Sequence, residues 1–354
     1  MKIMLVISAL RNGGAERVVE LLSRELSKNY EIETIYFEEN QNHYKISGKL
    51  THLDIYNQKG WLSKFSKFLK IRSYIKSAKP DIIITFMDQT NINVLIATAF
   101  MEKKIIATEH VSYDLLSSQI WRKIRNFSYR FCDALVVLSK RDKDYYSFVK
   151  HCEIIYNPLF MVENLVKISS NLGVNLAKKE KLILSVGRLE AVKGYELYLN
   201  ALALVDKNLL KDYKIAIAGE GSQRQNLENL AKNLNLNIEF LGHIKSVETL
   251  YQRAEILVLP SLSEAFGNVL NEAAAYKVAR ISTPTAGAME ILSHRKDALI
   301  AKDFSPKALS ECISEVLSDP NLKENLVKNI NLTKFTPQNI ISQWSELIGK
   351  LKGK

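Results

Sequence analysis

The chain has 354 residues, 47% of them hydrophobic and 25% charged, with a formal net charge of +11. That length allows two domains of ordinary size, and the composition excludes a disordered chain. The basic surplus calls for an anionic partner or surface; nucleic acid, acidic lipid headgroups and pyrophosphate-bearing ligands all satisfy it. Cys132, Cys152 and Cys312 are widely spaced and form no CxxC, which argues for reduced thiols in a cytosolic protein and against a zinc site. No apolar run approaches the ~18–20 residues that span a bilayer, so the expected relation to a membrane is lying on it.

Residues 2–8, Lys-Ile-Met-Leu-Val-Ile-Ser, read as a first core strand; a small-residue cleavage site is lacking, so this is not a signal peptide. Gly13-Gly14-Ala15-Glu16-Arg17 then opens a helix that continues through Val18, Val19, Leu21, Leu22 and Leu26. A glycine pair between first strand and first helix is where a doubly wound sheet binds phosphate. It is not GxGxxG, and a plain tight turn explains it equally well when taken alone. Residues 31–37 alternate and are rich in β-formers.

Residues 59–79 carry seven cations and no acid. On a helix, Trp61, Leu62, Phe65, Phe68 and Leu69 share one side, and Arg72, Lys76 and Lys79 form a row at i, i+4, i+7. Such a helix lies in a membrane interface, or equally packs on a core with a solvated back. Short buried strands follow at 81–86, 104–108 and 133–138, separated by helical stretches. That βα rhythm predicts a mostly parallel sheet with helices on both faces.

His110 ends the 104–108 strand and is placed to face a cleft, although a lone histidine is as readily a structural group. Trp121-Arg-Lys-Ile-Arg-Asn-Phe-Ser-Tyr-Arg130 is a second basic, aromatic patch. No nucleic-acid module accompanies these patches. Asp142-Lys-Asp144 matches a metal-binding D-x-D but reads as solvated charge on a helix, and six scattered histidines without HExxH give no metal site.

The run 153–160 closes a first domain, 1–160, and the polar segment 161–179 reads as a linker. A second series of strands at 181–186, 214–218, 237–241, 255–259 and 279–282 builds a domain over 180–336. Two doubly wound Rossmann-like α/β domains facing across a cleft are expected. The tail 337–354, with Ile340, Ile341, Trp344, Leu347, Ile348 and Leu351 at helical spacing, is an amphipathic helix.

The chemistry concentrates at 261–275, Ser-Leu-Ser-Glu-Ala-Phe-Gly-Asn-Val-Leu-Asn-Glu-Ala-Ala-Ala, which reads as loop then helix after a buried strand. The backbone N–H groups of Gly267, Asn268 and Val269 have no partners inside that helix and offer an anion and hydroxyl site. Glu264 and Glu272 flank it, and carboxylates accept hydrogen bonds from vicinal hydroxyls of a sugar or ribose. By spacing alone, the pair is as well explained by a favourable helix start and a solvated mid-helix residue. After the 181–186 strand, Gly187-Arg188-Leu189 and Lys193-Gly194 supply two cations suited to a diphosphate leaving group. Gly219-Glu220-Gly221 and Gly242-His243-Ile244 add two loops on the same edge, and His243 and Ile244 could line a base pocket through their backbone.

Gly13-Gly14-Ala15-Glu16-Arg17, Gly187-Arg188-Leu189…Lys193 and Glu264-Ala-Phe-Gly-Asn…Glu272 together resemble, in order and spacing, the retaining GT-B glycosyltransferases of family four. The resemblance covers nearly the whole chain. It implies a nucleotide-sugar donor on the second domain, an acceptor on the first, a terminal helix crossing back to the first domain, and no metal or cofactor. Arg188 and Lys193 would hold the donor diphosphate and Glu272 the ribose. Glu264 and the amides of Phe266, Gly267, Asn268 and Val269 would hold donor sugar and phosphate, and His110 would border the reacting anomeric carbon. Within the family the chain is more similar to epsilonproteobacterial N-acetylgalactosaminyltransferases of lipid-linked N-glycan assembly, through Thr108-Glu109-His110, Trp121-Arg122, Phe131-Cys-Asp-Ala-Leu135 and the basic helix. This closer similarity implies that Arg72, Lys76 and Lys79 grip the pyrophosphate of a polyprenyl-linked acceptor at an acidic membrane surface. The protein would then be peripheral on the inner face of the plasma membrane, using a UDP-sugar and no nucleic acid. A transferase acting on lipopolysaccharide or capsule intermediates with another nucleotide sugar, and a non-catalytic glycolipid-binding member, remain the alternatives.

Overall fold

The computed structural model describes residues 1–11, 13–38, 44–55, 63–116, 118–159 and 179–352. The chain divides into two compact units, Met1–Pro158 with Phe335–Lys354, and Leu159–Lys334.

The first unit runs β1 (Lys2–Ile7), α1 (Gly14–Leu26), β2 (Glu31–Tyr36), β3 (Lys49–His52), α2 (Ser63–Ala78), β4 (Ile82–Phe86), α3 (Asp88–Ala97), β5 (Lys104–Thr108), α4 (Gln119–Ser128), β6 (Ala134–Val137), α5 (Lys140–Tyr145) and β7 (Cys152–Ile154). Its strands are all parallel, in the order β3-β2-β1-β4-β5-β6-β7. The direction of winding reverses between β1 and β4, and ligands of such sheets bind at the carboxyl ends on either side of that switch. Met4, Val6, Ile83, Ile105, Ala107, Leu135 and Val137 point into one buried cluster, which is why these strands read as apolar runs.

The second unit runs β8 (Leu182–Val186), α6 (Tyr195–Leu204), α7 (Lys207–Leu210), β9 (Lys214–Ala218), α8 (Arg224–Asn233), β10 (Ile238–Gly242), α9 (Glu248–Arg253), β11 (Ile256–Leu259), α10 (Asn268–Ala275), β12 (Ala279–Ser282), α11 (Ala286–Ile291), β13 (Leu299–Ile300), α12 (Pro306–Ser318) and α13 (Pro320–Lys328). Its parallel sheet has the order β10-β9-β8-β11-β12-β13, with the switch between β8 and β11.

The last helix, α14 (Pro337–Lys352), groups with the first unit and packs on α1. Ile340, Trp344, Leu347, Ile348 and Leu351 are buried at the spacing of one helical face. Phe335 is buried with its ring edge-on to Tyr156 at 5.5 Å, which sets the border just before it. Residues 160–178, nearly all of the expected linker, lie outside the described residues, as do Trp61 and Leu62.

Two expectations change. In α2, Phe68 packs on the core with buried Ile71 and Ile75, whereas Phe65 and Leu69 are exposed, so the aromatic side of this helix is divided. Asp142 is not a solvated surface charge but a buried one. Ser139 caps α5 by accepting from the Asp142 N–H at 3.0 Å and donates back to its carboxylate at 2.5 Å, and the Tyr113 N–H donates to the same group at 3.1 Å. Ser139-x-x-Asp142 has the spacing of a capping box, but here the Ser139 hydroxyl and the Tyr113 N–H, not the Ser139 N–H, hold the acid inward.

Candidate functional site

In the second unit the loops after β8 and β11 are bound together at the switch point. Gly194 ends the short turn Ala191–Lys193 in the left-handed region (φ 65°), and a Cβ there would lie 2.1 Å from the Pro260 carbonyl oxygen. The Leu262 N–H donates to the Val192 carbonyl at 2.8 Å. This juncture fixes the loop that carries Lys193. Its ammonium meets Glu264 Oε1 at 2.5 Å, and the Ser261 hydroxyl donates to the same oxygen at 2.8 Å. The Glu264 carbonyl accepts from the Gly287 N–H at 2.9 Å, tying the loop to the start of α11.

Gly267 caps α10 with φ 83°, a conformation that costs a side-chain-bearing residue ~1 kcal/mol or more. The first-turn amides of α10 therefore start four residues beyond Glu264, with Phe266 buried and Asn268 and Val269 half-buried. Glu272, half-buried on the next turns, accepts from the Tyr251 hydroxyl at 3.0 Å. Tyr251 is fully buried and carries no sequence motif, and the Lys179 ammonium donates to its carbonyl at 2.8 Å. Burial lowers Lys179 to about 8.

Arg188 is exposed on the β8 loop, and its charge is felt by Glu190, whose carboxylate is held by the Ser222 N–H and hydroxyl at 3.1 and 2.7 Å. His243 is exposed and Ile244 half-buried directly after β10. The Gly242 carbonyl accepts from the Gly219 N–H at 2.8 Å, binding the β9 and β10 loops to each other. Direct side-chain contact thus joins Lys193 to Glu264, while Arg188 stands on the loop after β8 and Glu272 within α10, which follows β11.

In the first unit, Gly13 caps α1 in an extended conformation. Its N–H donates to the Arg11 carbonyl at 3.0 Å and lies 3.2 Å from the Tyr44 hydroxyl, so this amide is occupied within the unit, and Gly14 begins the helix. His110 follows β5 with its ring on Phe86 at 5.8 Å. Burial lowers its pKa to about 4, with neighbouring Asn157 pulling the other way, so the imidazole is neutral at pH 7. Beside it stands Glu109, part of the Thr108-Glu109-His110 motif but given no role there. Burial, then Asp88, raises its carboxyl to about 8. The Tyr129 hydroxyl donates to Glu109, and the Asn91 amide donates to both Tyr129 and the Thr108 carbonyl at 2.9 Å.

On α2, Lys76 is exposed, whereas Lys79 lies just past the helix end in the left-handed region (φ 50°) and drops out of the expected helical row; Arg72 is half-buried and its Nη1 donates to the Ala97 and Ala99 carbonyls at 2.9 and 2.8 Å. Arg72 closes the end of α3 with that nitrogen, leaving the rest of the guanidinium for other work. Among the described residues no group of three or more His, Cys, Asp or Glu is arranged to hold a metal ion.

Two parallel doubly wound units, one with an ammonium–carboxylate pair beside a glycine-capped helix at its switch point, define the GT-B class of glycosyltransferase. The model for glycosyl transferases group 1 matches residues 171–332, and that for glycosyltransferase family 4 matches 12–159. The chain belongs to glycosyltransferase family 4. It is 35% identical, over 99% of both chains, to a Campylobacter jejuni protein. That relative is the GalNAc-alpha-(1->4)-GalNAc-alpha-(1->3)-diNAcBac-PP-undecaprenol alpha-1,4-N-acetyl-D-galactosaminyltransferase. It is 26% identical to a second Campylobacter jejuni protein, an N-acetylgalactosamine-N,N'-diacetylbacillosaminyl-diphospho-undecaprenol 4-alpha-N-acetylgalactosaminyltransferase, over 91% of this chain and 92% of that one. Among solved structures, Anabaena HepE in complex with UDP superposes with a TM-score of 0.80 at 16% identity, over 99% of this chain and 100% of that one.

Proposed function

We propose that the protein is a retaining, metal-independent transferase that moves N-acetylhexosamine, with N-acetylgalactosamine the first candidate, from a UDP donor to an undecaprenyl-pyrophosphate-linked oligosaccharide at the cytoplasmic face of the membrane. The observation that carries this is the Lys193–Glu264 contact at the β8/β11 switch point, next to the start of α10. The names of the two Campylobacter relatives support the acceptor and sugar, and the UDP in the HepE complex supports the donor.

In this reading Arg188 and Lys193 take the donor diphosphate. As the bond from the anomeric carbon to the phosphate oxygen breaks, its electron pair leaves with UDP, and these fixed cations stabilise the charge where it grows. The amides of Phe266 to Val269 add dipoles to the same anion. Glu264, held by Ser261, accepts sugar hydroxyls, and Glu272, set by Tyr251, accepts the ribose hydroxyls. His243 and Ile244 border the base. The acceptor hydroxyl attacks from the face that UDP vacates, and its proton passes to the departing phosphate oxygen. His110 is assigned to the reacting carbon, and its neutral ring brings a hydrogen-bonding group without a competing charge. Lys76, Lys79 and Arg72 meet the acceptor pyrophosphate.

Mass spectrometry of a short lipid-linked acceptor after incubation with a panel of UDP-hexosamines tests this. The expected result is one added N-acetylhexosamine or more, with the donor's anomeric configuration kept. Transfer from no UDP-sugar, or an inverted linkage, overturns it.

A further inference from the structure

Helix α4 is built inside out. Its buried residues are Arg125 and Ser128, while Ile120 is 71%, Trp121 46% and Phe127 65% exposed. The inward Arg125 is well satisfied: its Nη2 donates to the Tyr113 carbonyl at 3.1 Å and its guanidinium lies 5.3 Å from the Tyr146 ring. A helix that spends its inner face on an arginine leaves its aromatics for another apolar medium. Past its end, Phe131 is 64% exposed and meets Phe127 edge-on at 5.3 Å.

These rings do not stand singly. Between α3 and α4 lies an open cavity of about 820 Å³ lined by Ile96, Phe100, Met101, Ile124, Phe127 and Phe131 among others. Phe100 on its rim is wholly exposed and adopts a left-handed conformation (φ 63°), which projects the ring from the end of α3. Exposed aromatic rings gathered around one apolar groove, rather than scattered singly, mark an interaction site. The charged residues lining it are Lys103 and Lys123 and no carboxylate; Lys103 donates to the Pro80 carbonyl at 2.9 Å, and Lys123 is exposed. Arg72, through Ala97 and Ala99, stands at the same corner, and Arg130, next to Phe131 in the chain, is exposed with its guanidinium 5.6 Å from the Phe148 ring. Glu102 and Asp133 are the neighbouring acids; neither lines the groove, and Asp133 accepts from the Ile105 N–H at 2.8 Å and pairs with Lys104 at 3.4 Å.

We propose that this α3–α4 groove, and not the basic helix α2 alone, seats the first unit in an anionic bilayer, with Phe100, Phe127 and Phe131 among the acyl chains and Lys123 and Arg130 at the lipid phosphates. An apolar centre lined by cations and by no acid matches that partner in both layers. A second protein surface would be expected to supply carboxylates to the same ring. The inference deepens the membrane part of the proposed function and rests on it, but it is read without any sugar transfer.

The test is flotation of the full chain with phosphatidylcholine vesicles, with and without phosphatidylglycerol. Wild type is expected to float with the anionic vesicles. Replacing Phe100, Phe127 and Phe131 together by Ser is expected to weaken partitioning about hundredfold, given the apolar area of three aromatic rings, and the same three changed to Leu retain most of it. Lys123→Glu is expected to cost about tenfold on anionic vesicles only. Unchanged flotation of the serine variant overturns the proposal, as does loss confined to Phe65→Ser/Leu69→Ser on α2. It is also overturned if sedimentation shows the serine changes dissolving a dimer while flotation stays as in wild type. Failure of sugar transfer leaves these outcomes intact, and failure of flotation leaves transfer to a water-soluble acceptor intact.

Discussion

Glu109 is buried, the adjacent His110 half-buried, and the two are shifted in opposite senses. The Glu109 carboxyl keeps its proton to about 8 in the fold, against 4.5 for an ordinary glutamate. Between those values the folded chain binds a proton that the unfolded chain has released, so stability falls as pH rises through that window and levels off above it. His110, lowered to about 4 from 6.5, acts the other way, and stability falls as pH drops from about 6.5 toward 4. The two slopes oppose each other in mildly acid solution; above about 6.5 Glu109 acts without His110, and Lys179, lowered to about 8, begins to oppose it only as that value is approached. There the Glu109 slope approaches ~1.4 kcal/mol per pH unit. Tyr129, Asp88, Arg125 and Asp142 are the groups whose charge or hydrogen bond it feels. Glu109→Gln, which keeps an acceptor for Tyr129 and cannot ionise, is expected to flatten stability between about pH 6.5 and 8. Urea titrations across that range check this; a slope identical to wild type would assign the alkaline sensitivity elsewhere.

Lys193 and Glu264 separate function from stability. Their side chains are 20% and 13% exposed, and partly solvated pairs contribute little to folding, of the order of 1 kcal/mol. A cation placed where charge develops is worth far more to the reaction, about 10²–10³ in kcat. Lys193→Ala is therefore expected to lower kcat by that factor while the melting temperature moves by only a few degrees. A collapse of the melting temperature in parallel with activity would make the pair a structural tie.

At the scale of elements, α14 is the clearest case of one segment completing another's core. Trp344 is 2% exposed on the face that also buries Ile340, Leu347, Ile348 and Leu351. Trp344→Ala is expected to destabilise the first unit by ~3–5 kcal/mol, since collapse around a lost indole is incomplete. Thermal denaturation checks it, and a change under ~1 kcal/mol would mean that the helix is dispensable to the fold.

The same helix shows what the sequence made legible. Spacing alone marks its buried face, and continuous apolar runs mark the interior parallel strands, because burial on both faces erases alternation. β3, whose Lys49, Leu50 and His52 are exposed, has no such pattern, and β13 is only two residues long. Neither was legible. The inward turn of Arg125 escaped because it depends on Tyr113, Tyr145 and Tyr146 from other segments. Buried Arg280 in β12 is similar: its partner is the Asp297 carbonyl at 3.1 Å. At the site, Lys193 and Glu264 were legible because glycine and strand ends bracket them. Tyr251 and Glu109 were not, since a buried hydroxyl or carboxyl acquires its meaning from neighbours distant in sequence.

For the whole molecule, the division into two units gives a way to locate the donor. Each unit has its own buried cluster, and chains built so commonly unfold in more than one step. The three tryptophans, Trp61, Trp121 and Trp344, all fall within the sequence of the first unit. Tryptophan fluorescence therefore reports the melting of that unit, whereas calorimetry detects both. If UDP binds the loops after β8 and β11, it stabilises the second unit by about 2.7 kcal/mol at a concentration of 100 Kd. The calorimetric transition that fluorescence does not see is expected to rise with UDP concentration, and the fluorescence transition to move less. Glu272→Gln should reduce the rise by weakening the ribose contact, by about tenfold in Kd for a hydrogen bond to a charged group. A UDP effect carried entirely by the fluorescence transition would place the nucleotide on the first unit and remove Arg188, Lys193 and Glu272 from the donor site.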